Sequence, residues 1–273
     1  MKSKLFFFMI FLFSGLMIFA LSPAEDEYIQ KILSFRLSLR TYASADEAIE
    51  KIHEFEESQR EEIGRLGEEA RLVSENMLRT AEYNCEYEKD VKSKKLEKIL
   101  RATFEKILAH NENHKKEELS DIFIISSADI INSMVQFLPM SEAMKFGLQE
   151  KKDYDAVLEK NPKMSLALIN SALWYYFAPS FAGGSTKKAE GLFRNAVKYA
   201  SNDYEKYYSA IYLSQFLFEQ KDFSNAGVYL SDAEKILPGA RYIPFIRKIN
   251  SLGFSLYDFN DNRKREKVQK AMR

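Results

Sequence analysis

Two histidines are the first side chains whose spacing could support chemistry. His110 and His114 are four residues apart, so on a helix they would share one face and could both bind a metal ion. However, the stretch HNENH lacks the Glu at the second position that zinc proteases use, and no third ligand stands out nearby. Its two asparagines favour a loop. We therefore predict no metal site and no cofactor.

Catalytic patterns do not stand out either. The nucleophile motif G-x-S-x-G is missing, and the only cysteine, Cys85, has Glu82 and Glu86 nearby, which would raise rather than lower the pKa of its thiol. We interpret Cys85 as a structural thiol. His53 stands alone in an acidic segment and is expected to be solvated. The sequence therefore predicts a protein that is not an enzyme.

One loop has residues that could bind an anion. In YYFAPSFAGGSTKKAE, Pro179 would stop one helix, Gly183 and Gly184 permit positive φ, and Ser185 or Thr186 would cap the next helix. Free amides at that helix N-terminus could hold a carboxylate or phosphate. The stretch lacks the first Gly of the phosphate-loop motif. Two interpretations stay open: a ligand loop formed by Gly183, Gly184 and Ser185, or a plain capped turn.

Residues that break helices are scarce in this chain, which predicts that a mostly helical fold holds the histidines, the cysteine and the glycine loop in place. The 273 residues include 10 Gly and 6 Pro, and 46% of the chain is hydrophobic. The pattern Ser44-Ala-Asp-Glu47 is typical of a capping box and predicts a long, kinked helix that continues to about Met77. The polar stretch HNENHKK is expected to be a connection. Further helices are expected over residues 25–39, 91–109, 119–138, 141–149 and 154–159.

The first residues have the pattern of a secretory signal peptide. Lys2 and Lys4 precede sixteen uncharged residues, Leu5 to Ala20, and Ser22-Pro23-Ala24 matches a small-x-small cleavage site. Sixteen residues are fewer than the ~20 that span a bilayer as a helix, which favours cleavage over a retained anchor. We expect cleavage near Ala20 to Ala24 and export of the mature chain, which would be periplasmic or secreted.

Two stretches in the C-terminal half share one helical pattern. The segments QKDFSNAGVYLSDAEKILP and KKAEGLFRNAVKYAS align with Ala226 on Ala189, Leu230 on Phe193, and Ala233 on Ala196. Spacings of four and three residues put each triplet on one face, where the small residues let an antiparallel helix approach closely. Upstream lie SLALINSALWYYF, with Ala172, and YYSAIYLSQFLFE, with Ser214. The pattern predicts two helical hairpins, the second closed by Pro238.

This pattern resembles the tetratricopeptide repeat (TPR) family, whose unit is a helical hairpin of about 34 residues. Ala189 and Ala226 are 37 residues apart, but the family's usual Trp and Gly near the start of the first helix are absent. The resemblance implies an all-α fold, with an N-terminal helical bundle followed by TPR-like antiparallel hairpins in an α-solenoid. We divide the chain into a signal peptide (1–24), an N-terminal helical region (25–140), TPR-like repeats (141–257) and a basic C-terminal tail (258–273).

Helical repeats bind through a groove lined by the first helix of each hairpin. Here that face is apolar and aromatic, and the candidate binding residues are Asn170, Tyr176, Tyr208, Tyr212, Gln215 and Phe218. The family's best-known groove uses Lys, Arg and Asn to bind the terminal carboxylate of a peptide. Asn170 resembles the Asn of that set, and the basic residues have no counterpart in this groove. Two interpretations stay open: the face receives an apolar or aromatic ligand, or the N-terminal helices cover it as core.

The resemblance implies that the chain mediates protein–protein interaction, since similar TPR proteins exported by bacteria act as scaffolds or resemble partners of solute-binding proteins in transporters. The expected partner is another protein, for which the periplasm is one location. The alternative is a small apolar or amphipathic ligand held in an aromatic cavity between the N-terminal helices and the repeats.

Charge narrows the range of partners. The formal net charge is zero, so no nucleic-acid partner is expected. Membrane contact is expected only through an uncleaved signal segment or the basic tail, which has six bases and one acid between Arg263 and Arg273. We interpret that tail as a solvated, frayed last helix. The oligomeric state is left open.

Overall fold

A computed structural model describes residues 21–272, and the predicted signal segment at residues 1–20 lies outside them. All regular structure within residues 21–272 is helical, which confirms the predicted all-α class. The α-helices of this part are Pro23–Ser38 (α1), Ala45–Ser58 (α2), Arg60–Arg65 (α3), Glu68–Lys89 (α4), Lys95–Asn113 (α5), Asp121–Met134 (α6), Met140–Lys160 (α7), Ser165–Phe177 (α8), Thr186–Tyr199 (α9), Asp203–Glu219 (α10), Phe223–Ile236 (α11), Tyr242–Ser251 (α12), Leu256–Asn260 (α13) and Asn262–Met272 (α14).

Helix α4 is the centre of the N-terminal bundle, because α1, α2, α5 and α6 all pack against it. Neighbours on several sides bury polar as well as apolar positions of α4. The amide of Asn76, for example, is fully buried and donates to the hydroxyls of Ser126 and Ser127 on α6 at 3.1 and 3.2 Å. Such bonds allow a polar side chain to lie between two packed helices.

The prediction of one long helix from Ser44 to Met77 is wrong, since the segment forms α2, α3 and α4. Ser44 does cap α2 by accepting from the Glu47 amide at 3.1 Å, but the Glu47 carboxylate accepts from the amide of Ala43, at 2.8 Å. The chain then turns at Gly67, whose extended backbone precedes α4 and whose amide donates to Glu25 Oε1 on α1 at 2.8 Å. Glycine and an adjoining polar stretch give little reason to continue a helix.

Two other helix predictions need correction. Helix α5 continues through the first histidine to Asn113, whose side chain donates to the Ala109 carbonyl at 2.8 Å, so the predicted polar connection is helical there. The two short helices predicted at 141–149 and 154–159 are one helix, α7. Its middle stays helical because Glu150 and Tyr154 lie on one buried face and Lys151 pairs with Asp155 at i+4.

The two predicted hairpins are present as α8 with α9 and α10 with α11, each packed along its length. Ser214 Oγ donates to the Ala226 carbonyl at 2.8 Å, and Ser165 Oγ donates to the Ala196 carbonyl at 3.0 Å. Ala172 and Ala189 are both fully buried in one core cluster. The small residues therefore let the paired helices approach closely, as the sequence predicts, and the pairs have a TPR-like helical-repeat arrangement.

The interpretation of the basic tail as solvated and frayed is wrong. Helix α14 buries Val268 completely, and Arg265 reaches back to α4, where it donates to the carbonyls of Tyr87 and Glu88 at 3.2 and 3.0 Å. One apolar residue and the long stem of an arginine thus hold the helix against the molecule. None of the helices between residues 21 and 272 has the length and apolar character to cross a membrane.

Candidate ligand cavity between the bundle and the hairpins

The N-terminal helices cover the aromatic face of the hairpins without filling the space beneath. Asn202 at the start of α10 donates to Gln30 Oε1 on α1 at 3.0 Å, and Asn170 on α8 donates to Asp129 Oδ1 on α6 at 2.9 Å. Between these contacts remains a cavity of about 450 Å³. That volume lies in the range of about 300–1,000 Å³ usual for small-molecule sites.

Aromatic side chains form one wall of the cavity. Tyr204, Tyr208 and Tyr212 follow one another on successive turns of α10, and Tyr242 joins them from α12. Burial raises the pKa of Tyr242 to about 12, and it raises the pKa values of Tyr204 and Tyr212 further. The phenols of Tyr204, Tyr212 and Tyr242 therefore stay neutral at physiological pH and can donate hydrogen bonds.

Two arginines at the end of α1 face this wall. Arg36 lies in the last turn of α1 and Arg40 lies just beyond it, and their guanidinium groups lie over the rings of Tyr204 and Tyr208 at 5.0 and 5.7 Å. Arg40 Nε also donates to the Tyr208 hydroxyl at 2.7 Å, and Arg40 lies 3.7 Å from a carboxylate oxygen of Glu88. Arg40 is thus held in place by both neighbours.

Arg36 differs from Arg40 because it has no such partners. Arg36 is only 8% exposed, and it lines the cavity. Within residues 21–272, its guanidinium has no hydrogen-bond acceptor and no carboxylate oxygen inside 4.0 Å, and it lies over the Tyr204 ring instead. Its guanidinium nitrogens are not fully enclosed, so a ligand in the cavity that supplies negative charge or acceptors could bind their N–H groups.

Asp129 provides a carboxylate on the α6 side of the cavity. It lies deep in the molecule, and the accessible part of its side chain lines the cavity. Burial raises the pKa of Asp129, while the charge of Arg36 and the hydrogen bond from Asn170 oppose that rise. Arg36 therefore senses Asp129 electrostatically without forming an ion pair with it.

A further arginine lines the cavity from α14. Arg265 is 3% exposed, with its guanidinium 4.0 Å from the Phe259 ring centre, and burial lowers its pKa. Its Nε and one terminal nitrogen have no hydrogen-bond partner within the described residues. Glu88, the nearby acid, already binds both Arg40 and Arg241. This end of the cavity consequently has more positive than negative groups.

A larger surface groove, of about 1450 Å³, lies between α2, α4 and α5, but most of its charged groups already have partners. Arg79 pairs with Glu56 and Glu82, and Lys106 binds Glu75 at 2.8 Å. Because such mutual pairing leaves little demand for a ligand, the smaller cavity is the stronger candidate site.

Three of the six candidate residues from the sequence line the cavity: Asn170, Tyr208 and Tyr212. The other three serve packing. Gln215 is fully buried and accepts from the Leu256 amide at 2.8 Å, Tyr176 packs against Tyr257, and Phe218 packs against Phe223. They tie the hairpins to one another and to α13, and they do not line the cavity themselves.

Sequence reasoning missed Arg36, Arg40 and Asp129, although two signals were present. Arg36 continues the buried stripe of α1 formed by Ile29, Ile32 and Leu33. Asp129 is an acid in the middle of the most apolar helix of the N-terminal region, α6. A charged residue at a buried helical position is an indication of function or of a partner.

The glycine loop has its amides in use within the turn. Gly183 has φ of 100° and donates to the Ser180 carbonyl, Gly184 donates to the Pro179 carbonyl, and the Ser185 amide donates to the Tyr175 carbonyl at 2.8 Å. Ser185 caps α9 by accepting from the Lys188 amide at 3.3 Å. The loop does not line the cavity, and we do not include it in the site.

The histidine pair and the cysteine are packed against neighbouring side chains. His110 is buried, stacks on His114 at 4.1 Å between ring centres, and lies 3.3 Å from Glu68. No cluster of three or more potential metal ligands occurs in the part of the chain from residue 21 to 272. Cys85 is 4% exposed, and burial raises the pKa of its thiol.

Comparison with known proteins gives limited further information. No protein-family model matches this sequence, and no curated protein matches it. A crystal structure of a thermophilic TPR protein from Thermus thermophilus is similar, with a TM-score of 0.47 and 10% sequence identity over 82% of this chain and 98% of that chain. The packing of the two hairpins is itself TPR-like, and folds of this class commonly mediate protein–protein interaction.

Proposed function

We propose that this chain is an exported, non-enzymatic binding protein that holds a small molecule in the cavity between its N-terminal bundle and its hairpins. The observation that carries the proposal is Arg36, a buried and unpaired cation on the wall of a cavity large enough for a ligand. Neutral tyrosines opposite it offer both ring faces and hydroxyl donors. The N-terminal helices cover the groove face, which favours a small molecule over an extended peptide at this site.

Native mass spectrometry of freshly purified protein tests this proposal. We expect a co-purifying small molecule that is lost on denaturation. Leu173→Trp should reduce its occupancy because residue 173 lines the cavity, whereas Val228→Trp, at a site 53% exposed on α11, should not. A ligand-free mass for protein from its native host, or equal occupancy in both variants, would count against the proposal.

Protein docking is a second candidate function, and a different surface favours it. Met140, Met144 and Leu148 lie four residues apart along α7 and are 77%, 62% and 54% exposed. An exposed apolar stripe is a common feature of protein–protein contacts. A photo-crosslinker at Met144 should capture one defined protein from the native compartment, and Met140→Glu with Leu148→Glu should abolish that product. Crosslinks that form equally well from exposed Leu252 would contradict a specific contact.

Export is proposed from the pattern of the first residues, and the start of α1 indicates where cleavage would leave the fold intact. Ser22 caps α1 by accepting from the Glu25 amide at 3.3 Å, while Glu25 accepts from the Ser22 amide at 2.8 Å and from Gly67 of the bundle at 2.8 Å. Cleavage after Ala20 would leave this cap in the mature chain, whereas cleavage after Ala24 would remove it. Losing a helix cap costs about 1 kcal/mol.

We therefore predict that the mature protein begins at Leu21. N-terminal sequencing of material recovered outside the cytoplasm would establish this, and Ala20→Leu should slow processing. A mature chain that begins at Glu25, or an intact precursor in the membrane fraction, would contradict the prediction.

A further inference from the structure

The chemical character of the cavity narrows the class of ligand, if the proposed function holds. Charged residues from several helices line it: Arg36, Arg40, Glu88, Asp129 and Arg265. With both acids ionised, three cations face two anions, a net charge of +1. Arg40 and Arg265 have protein partners for part of their donors, and Glu88 is shared between Arg40 and Arg241. Arg265 also has free donors on two nitrogens, but Arg36 is the lining arginine that has no hydrogen-bond or carboxylate partner at all within the described residues.

A guanidinium can donate two parallel hydrogen bonds to a carboxylate, and such charge-assisted pairs are stronger and more directional than neutral ones. A net charge of +1 matches a monovalent anion better than a phosphate, which carries nearly two negative charges at neutral pH. Next to Arg36 lie Tyr204, Tyr208 and Tyr212 of α10, whose rings can pack against a flat or aliphatic part of a ligand. A monovalent acid with an apolar part would satisfy both features.

We propose that the cavity binds a small monocarboxylic acid, with its carboxylate on Arg36 and its aromatic or aliphatic body against Tyr204, Tyr208 and Tyr212. Asp129 lies across from Arg36 and, because it accepts from Asn170, keeps a fixed position that excludes a second anionic group. The carboxylate of the ligand would be the negatively charged partner that Arg36 does not have among the described residues. Acids with two carboxylates should accordingly bind less well than those with one.

Calorimetric titration with matched acids and amides tests this proposal. The probes are phenylacetate and hexanoate, their uncharged partners phenylacetamide and hexanamide, and inorganic phosphate. We expect at least one acid to bind at least tenfold more tightly than its amide, and phosphate to bind more weakly than that acid. The amide has the same shape but cannot form the charged pair, so the ratio reports on the cation.

Substitutions at Arg36 identify the group responsible. Arg36→Gln should remove the tenfold preference for the acid, and Arg36→Lys should restore part of it because the charge remains without the bidentate geometry. Arg247→Gln is the matched control, since Arg247 is a surface arginine that pairs with Glu234 at 2.7 Å. Circular dichroism and thermal unfolding would show that each variant is folded.

The outcomes separate this inference from the proposed function. Amides that bind as tightly as acids, or an Arg36→Gln protein that keeps the preference, would overturn the carboxylate assignment while leaving a ligand cavity. Tighter binding of phosphate would replace the carboxylate with a phosphate ligand. If no acid or amide binds and native mass spectrometry also finds the protein empty, both the inference and the proposed function fail.

Discussion

Single residues in this chain show how burial and pairing decide whether a charge stabilises the fold. Arg79 is largely buried between Glu56 and Glu82, and it therefore carries its own counter-charges. Arg36 is more deeply buried than Arg79 and has no such counter-charges. A paired buried charge supports the fold or at least costs little, whereas an unpaired one costs stability unless a ligand completes it. The presence of an arginine at position 36 is therefore better explained by ligand binding than by a contribution to stability.

Glu150 on α7 is a second buried acid without full compensation. It is 5% exposed, and one carboxylate oxygen has no hydrogen-bond partner among residues 21–272. Burial raises its pKa to about 8, with smaller contributions from the charges of Asp129 and Asp153. The folded protein therefore binds this proton more tightly than the unfolded chain, whose reference pKa is 4.5. The stability linked to this proton is present at low pH and is lost as the pH rises through about 8.

We predict that Glu150→Gln stabilises the protein increasingly as the pH rises. The gain should be small near pH 5 and on the order of 3–5 kcal/mol above pH 9, since each pKa unit corresponds to about 1.4 kcal/mol. Urea unfolding at several pH values measures it. Glu142→Gln, an exposed position on the same helix, should change little at any pH. A constant difference between Glu150→Gln and the unmodified protein would refute the assigned protonation.

At the scale of elements, the turn between α8 and α9 depends on two glycines for different reasons. Gly183 adopts positive φ, which other residues rarely do. Gly184 has no room for a side chain, because a Cβ there would lie 1.8 Å from the carbonyl oxygen of Ala178. The chain just after α8 and the chain just before α9 are therefore in backbone-to-backbone contact, which only a glycine at position 184 allows.

Gly184→Ala should destabilise the protein by about 2–4 kcal/mol, since the clash is with backbone and the turn must move. Gly191→Ala is the matched control. It lies in α9, where nothing is within 4 Å of an added Cβ, and it should stabilise by about 0.5–1 kcal/mol. Thermal unfolding of both variants checks the pair. Equal stability of the two would show that the turn relaxes without cost.

At the scale of the whole molecule, α1 joins the N-terminal bundle to the C-terminal part. Ile29 and Ile32 belong to the core shared by α2, α4 and α6, whereas Leu37 belongs to the core formed by α10, α11 and α12. Helix α14 then closes the other side by returning to α4. Helices α1 and α14 thus hold the N-terminal bundle over the hairpins from two sides. The cavity is the space between them that the aromatic side chains leave unfilled.

Loosening α14 should therefore affect the cavity as well as stability. Val268→Ala removes two buried methyl groups and should cost about 1–3 kcal/mol. Hydrogen exchange should become faster in α14 and at the end of α4, where Arg265 binds, and ligand occupancy should fall. Gln269→Ala, at an exposed neighbour, should leave all three measurements unchanged. A stability loss without faster exchange at the end of α4 would contradict the proposed closure.

The sequence by itself determined the all-α class and the two hairpins, because each depends on contacts between residues close along the chain. Ser214 and Ala226, whose bond closes the second hairpin, are 12 residues apart, and helix periodicity shows which faces meet. Helix breaks were harder to predict. The break before α4 lies at Gly67, whose amide donates to Glu25, 42 residues away along the chain.

Only the tertiary structure decided which polar residues share the cavity. Arg40 and Tyr208 are 168 residues apart, and Asp129 and Asn170 are 41 apart on different helices. Periodicity indicates that such positions face inward but not what they meet there. The lack of a partner for Arg36 is likewise a property of the packed molecule, because desolvation and the placement of every nearby carboxylate arise only when the helices come together.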